Sequence, residues 1–170
     1  AENNADQIEK LTISAVEEAE SSQEDANLIA KVVAVASDEL VNKVVEEVSK
    51  SSTEEKQTLS AQVLKAIVDT QPNKLEVINE DVKDTMIKQT IESAQNQQEG
   101  TGIQQDQDMT SIVSDIIVNT DTETGSKMIE ELNNSSTNTE NDLSLQVISA
   151  ISEKDTTKLN TLSENNKEQI

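Results

Sequence analysis

The chain has 170 residues, and 34 Asp and Glu against 13 Lys and no Arg give it a net charge of −21. Such a surface repels phosphate backbones and anionic lipid, which argues against nucleic-acid and membrane-surface partners. His and Cys are absent, as are Phe, Tyr and Trp, so the commonest general base, thiol nucleophiles, disulfides and thiolate metal sites are excluded, and any core must be Val, Ile, Leu and Ala.

Leu, Ile and Val make up 41 of the 170 residues, more than a disordered chain carries, while the charge pulls toward disorder. Folding alone is expected to be marginal. No run approaches the roughly 18 apolar residues of a spanning helix, so membrane insertion is not expected. A secretory leader does not open the chain, which is also how a mature secreted segment would read.

Residues 1–20 place Ile8, Leu11, Ala15 and Val16 on one helical face, with Asn3, Asn4 or Asp6 to cap the start. Ser21 and Glu24 have the spacing of a capping box, so a second helix is expected near Glu24. Its apolar residues Leu28, Val32, Val33 and Val35 lead to a break at Ser37-Asp38, and Leu40, Val41, Val44, Val45 and Val48 form a third helix. Ser52 and Glu55 repeat the box ahead of Leu59, Val63, Leu64 and Ile67. Pro72 ends that helix by Thr70, because proline lacks the amide a helix interior needs, and a further arm carrying Leu75, Ile78 and Val82 closes a hairpin.

The hairpins are related. An offset of 31 aligns Leu28, Ala30, Val32, Asp38, Asn42 and Lys43 with Leu59, Ala61, Val63, Asp69, Asn73 and Lys74. An offset of 84 lays residues 28–86 over 112–170 without a gap, with 17 identities in 59 columns. Among them are Lys43/Lys127, Glu46-Glu47/Glu130-Glu131 and LSAQVLKAI over LSLQVISAI. An offset of 78 lays residues 10–13 over 88–91, and the two offsets together give the 162 positions that separate ENNADQI (2–8) from ENNKEQI (164–170). Both ends therefore sit at one phase of a repeat, and the chain reads as a window on a longer series.

Two units follow, 1–85 and 86–170, each a single helix and two hairpins. In the second, residues 95–108 (QNQQEGTGIQQDQD) read as a loop. One hairpin spans 110–119 and 127–132 around a turn from Asp121 to Gly125, and the other spans 142–151 and 156–162 around 152–155. Residues 133–141 form the joint between them, with a capping spacing at Thr137 and Glu140. The fold class expected is all-α: tandem short helical hairpins stacked as an α-solenoid-like array. It resembles the helical-hairpin solenoids as a class, and lacks the Trp, Gly, Tyr and Pro positions of tetratricopeptide repeats.

Candidate chemistry is sparse. The pairs Glu17-Glu18, Glu46-Glu47 and Glu130-Glu131 read as solvated helix faces. Asn119, Asp121 and Glu123 alternate like calcium ligands, with Glu130 at the twelfth position, but glycine falls one place late, at Gly125, and a turn is the better reading. Asn133-Asn134-Ser135-Ser136 contains glycosylation acceptor triplets that arise readily in an Asn- and Ser-rich chain. The Val32 to Val48 stripe reads as core rather than as a partner groove. No catalytic, cofactor or metal residue is assigned. The expected role is a non-enzymatic repetitive structural segment of a larger extracellular or cell-envelope filament, sheath or adhesin stalk, partnered by neighbouring repeats or copies of itself. A helical-repeat binding scaffold in the cytoplasm and an acidic mimic of nucleic acid are the alternatives.

Overall fold

The computed structural model describes residues 4–100, 108–135 and 143–168, the side chains of 165–168 excepted. Among the described residues the protein is all-α. The α-helices are α1 (Asn4–Glu18), α2 (Gln23–Val35), α3 (Asp38–Ser49), α4 (Glu54–Thr70), α5 (Glu80–Gln98), α6 (Met109–Asn119), α7 (Thr122–Ser135), α8 (Leu143–Lys154) and α9 (Thr156–Glu168), and a 3-10 helix at Pro72–Val77 separates α4 from α5.

Short polar side chains set the helix starts by accepting otherwise unpaired amides of the first turn. Ser37 Oγ takes the Leu40 amide at 3.4 Å, Asp108 Oδ1 the Thr110 amide at 3.0 Å, and Asp155 Oδ1 the Lys158 amide at 3.0 Å. The two expected capping boxes are displaced by one residue. Ser22, not Ser21, caps α2 and accepts from Asp25, while Thr53, not Ser52, caps α4 and accepts from Lys56.

Three further boundaries differ from the sequence reading. Pro72 does start a new helical segment, but as a 3-10 turn that stops at Val77, and a fresh helix begins at Glu80 and runs through the 85/86 junction. The side chain of Asn42 braces this break from both sides: Nδ2 donates to the Val77 carbonyl at 2.7 Å and Oδ1 accepts the Asn79 amide at 2.7 Å. Its counterpart 84 residues on is Ser126, whose buried hydroxyl has no partner among the described residues, and there α9 runs on unbroken. The expected loop at 95–108 begins late, because α5 continues to Gln98 before Gly100 takes a left-handed φ of 69°. The rest of that loop, and the joint containing Thr137 and Glu140, lie outside the described residues. Gly125 is not in a turn at all. It lies inside α7, where a Cβ would stand 3.2 Å from Leu162 Cδ2 of α9.

Substantial helix contacts run in two interleaved series: α1, α3, α5, α7 and α9 pack in succession, and so do α2, α4, α6 and α8. Consecutive helices touch as well, except that α1 and α2 barely meet. The core is a continuous aliphatic cluster from Val16 to Leu162, with α4 at its centre, bounded by α2, α3, α5, α6 and the 3-10 helix. Because α4 is covered on so many sides, its polar residues must find partners inside the protein. Three of them do so along α5: Thr58 and Ser93 hydroxyls lie 2.8 Å apart, Ser60 donates to Gln89 Oε1 at 2.6 Å, and Gln57 Nε2 donates to Glu92 at 2.7 Å. Gln89 Nε2 then closes the seam on the Ser49 carbonyl at 2.9 Å.

Candidate functional site

The residues with the best claim to chemistry are used for folding. Asp121 caps α7, its Oδ1 accepting the Thr124 amide at 2.8 Å and its Oδ2 the Thr124 hydroxyl at 2.9 Å. Burial raises the pKa of this carboxyl, and the Thr124 hydrogen bonds outweigh it, so the net shift is downward. Asn119 ends α6, and Glu123 and Glu130 ride on α7. A calcium loop needs these ligands on one curled non-helical segment, and the structure makes a two-residue turn followed by helix. No group of three or more carboxylates placed to hold a metal occurs among the described residues. Asn133 and Asn134 are exposed on the last turns of α7. Of the Val32 to Val48 stripe, Val33, Val41, Val44, Val45 and Val48 are buried in the core as expected, while Val32 is half-buried and Val35, on the last turn of α2, is exposed. No helix among the described residues is long and apolar enough to cross a membrane.

The repeat carries a different kind of machinery, built from lysines. Lys74 Nζ donates to the Ala36 carbonyl at the end of α2, at 3.1 Å. Lys158 donates to the Thr120 carbonyl at the end of α6. Both donor and acceptor are displaced by the same 84 positions, so one device occurs twice: an ammonium group meets the partial negative charge at a helix C-terminus. Lys43 and Lys127 form a second pair. Lys43 reaches Glu9 at 2.7 Å and Glu39 at 3.0 Å, tying α3 to α1. Lys127 reaches Glu80 at 2.7 Å and Asp84 at 3.0 Å, tying α7 to α5. Hydrogen bonds from Lys127 and then Lys83 lower the Glu80 pKa to about 2 against the opposing effect of burial, and the acidic partners raise both Lys43 and Lys127. Thr12 and Thr90, 78 positions apart, each donate to the carbonyl four residues back. Sequence comparison marks the lysines as identities; their backbone and carboxylate targets come from other segments.

The remaining feature lies at the two ends of the packed series. On α1 and α2, Ile8 is 60% exposed, Leu11 71% and Leu28 52%, although their counterparts Met86, Gln89 and Ile112 in the second unit are buried. Between these helices opens a groove of about 530 Å³ lined by Leu11, Ala15, Val16, Leu28, Ile29 and Val32 among others. At the other end, Leu145 of α8 is 67% exposed and Ile148 37%, while Ala61 and Leu64 at the matching places of α4 are fully buried. Isolated exposed aliphatics are ordinary on protein surfaces. These differ in being the places the other unit covers.

A smaller polar cleft near Gln97, Gln98, Asp108, Thr110 and Gln146 is occupied by its own hydrogen bonds, Gln98 Nε2 donating to Gln146 Oε1 at 2.6 Å and the Met109 amide to Gln97 Oε1 at 2.7 Å. It ties α5, α6 and α8 together and offers no convergent charged groups. No protein-family model, curated protein or solved structure matches the chain.

Proposed function

We propose that this chain is a non-enzymatic, repetitive structural segment, working in an extracellular or cell-envelope filament, sheath or adhesin stalk. The observation that carries this reading is the recurrence of one packing scheme: α1 on α3 and α2 on α4 in the first unit, α5 on α7 and α6 on α8 in the second, with the same lysine devices in each. A chain spending its repeated residues on joining helices, and lacking His, Cys and Arg, has the alphabet of a spacer rather than of a catalyst. Its acidic outer surface keeps such a spacer hydrated and discourages sideways clumping.

Repeat series of this kind gain stability from unit interfaces, so it grows with the number of units until the end effects are diluted. Linking two and then four copies in tandem should therefore raise both the helicity per residue and the melting temperature, followed by circular dichroism. Identical melting for one copy and for four would refute the reading. A second reading, a repeat scaffold that grips a partner helix, draws on the groove between α1 and α2. It differs in expecting that groove to bind an amphipathic peptide while tandem linkage leaves stability unchanged.

A further inference from the structure

Resting on the structural reading above, we infer that copies of this chain join end to end, the α8 face of one copy lying against α1 and α2 of the next as α4 lies against α5 and α6 within the chain. The joint inside the molecule is the pattern for the joint between molecules. Within the chain, α4 packs on both α5 and α6 and is buried by them. The repeat makes α8 the counterpart of α4, and α1 and α2 the counterparts of α5 and α6. Each half of the pattern is present at one end of the chain, and each half is bare.

In the first unit the chain breaks at Ile78 and Asn79, and α5 then lies along α4. In the second unit there is no such break, and α9 continues in one course to Glu168. Among the described residues, no helix lies along α8 as α5 lies along α4.

The substitutions between interior and end suit a contact between separate molecules. Where the interior seam hydrogen-bonds Ser60 to Gln89, the end offers Leu11 in place of Gln89; Leu145 and Ile148 stand for Ala61 and Leu64. Larger apolar groups at these positions give two copies more surface to bury against the entropic cost of association. Charge agrees with this. Within the chain Lys65 of α4 pairs with Asp69 and lies 3.9 Å from Asp115 of α6. The corresponding residues at the ends are Ser149, Glu153 and Lys31, so an anion on α8 meets a cation on α2. Lys31 and Glu153 are both exposed, and neither is ion-paired among the described residues.

A contact of this type uses two different surfaces, so it does not close on itself in a pair; each added copy leaves one end of each kind free. Sedimentation velocity on the whole chain tests it with two double variants: a head variant, Leu11→Glu with Leu28→Glu, and a tail variant, Leu145→Glu with Ile148→Glu. Wild type should form species that lengthen with concentration, and each variant alone should stay monomeric. An equimolar mixture should form dimers and stop there, because one intact tail meets one intact head. A milder pair, Lys31→Glu and Glu153→Lys, covers the event that the glutamates disturb folding, as read by far-ultraviolet circular dichroism. Each charge reversal alone should weaken association roughly tenfold, and mixing the two should restore it. Wild type that remains monomeric up to about millimolar concentration would overturn the inference, as would a head variant that dimerises by itself through two tails. Either result leaves the tandem-copy experiment, and with it the structural reading, to stand or fall separately.

Discussion

Residues 59–67 of α4 and 143–151 of α8 are close copies, LSAQVLKAI and LSLQVISAI. Eight of the nine are buried in α4 and three of the nine in α8. The three shared by both are Leu59/Leu143, Val63/Val147 and Ile67/Ile151, spaced four apart on one side of the helix. That side is fixed by the helix's own sequence and the partner it meets within its unit, α2 or α6. Most of the further cover on α4 comes from α5 and α6, with less from α3 and the 3-10 helix. A repeated helix thus has an inner face legible from its own residues and an outer face whose surroundings depend on its place in the series.

The sharpest way to break this comparison is truncation on the outer face. Leu64→Ala should lower the unfolding free energy by about 2–5 kcal/mol, since it opens a cavity in packed surroundings, whereas Ile148→Ala at the matching place should lower it by less than about 1 kcal/mol. Urea titrations of dilute protein would measure both. Equal losses would mean that α8 is covered in solution by something within its own chain.

A smaller effect is expected from the helix-end lysines. Lys74→Met and Lys158→Met each remove a charged donor from a helix-terminal carbonyl, and each should lower stability by about 1 kcal/mol. Similar values for the two would confirm that one device serves both units. A loss confined to Lys74 would restrict it to the covered half of the molecule.

The smallest expected effect concerns Glu80 and its tie to Lys127. Its folded pKa of about 2 lies below the ordinary value near 4.3 that it has when unfolded. The tie therefore stabilises fully above about pH 4.3, and its contribution disappears as pH falls toward 2. Glu80 is 58% exposed, so solvent screening holds the effect below about 1 kcal/mol. Stability of wild type should exceed that of Glu80→Gln at neutral pH and low salt, and the two should converge near pH 2 and in concentrated salt. A gap that persisted at pH 2 would place the role of Glu80 outside the ion pair.

Much of the fold could be read from residue order. The break at Ser37, the stop before Pro72 and the 84-residue register that pairs α2 with α6 and α3 with α7 all follow from capping chemistry, proline sterics and apolar spacing. Gly125 misled, because glycine suggests a turn, and here it is a gap that lets Leu162 approach α7. The glutamine-rich start of the loop at residue 95 misled in the other direction: glutamine forms helix readily when a neighbour covers one side. The lysine targets were invisible, since a carbonyl 38 positions away leaves no mark in composition. The exposure of Leu11 and Leu28 was invisible too, since periodicity marks an apolar face and not what covers it.

The two interleaved series carry an evolutionary corollary. A helix added or lost singly would shift every later helix into the opposite series and set its inner face against strangers, whereas a change by two or four preserves parity. The helices that match across the units, α1 with α5 and α2 with α6, are four apart. Lengthening by whole duplications of that even block is the route along which the old junctions survive unchanged.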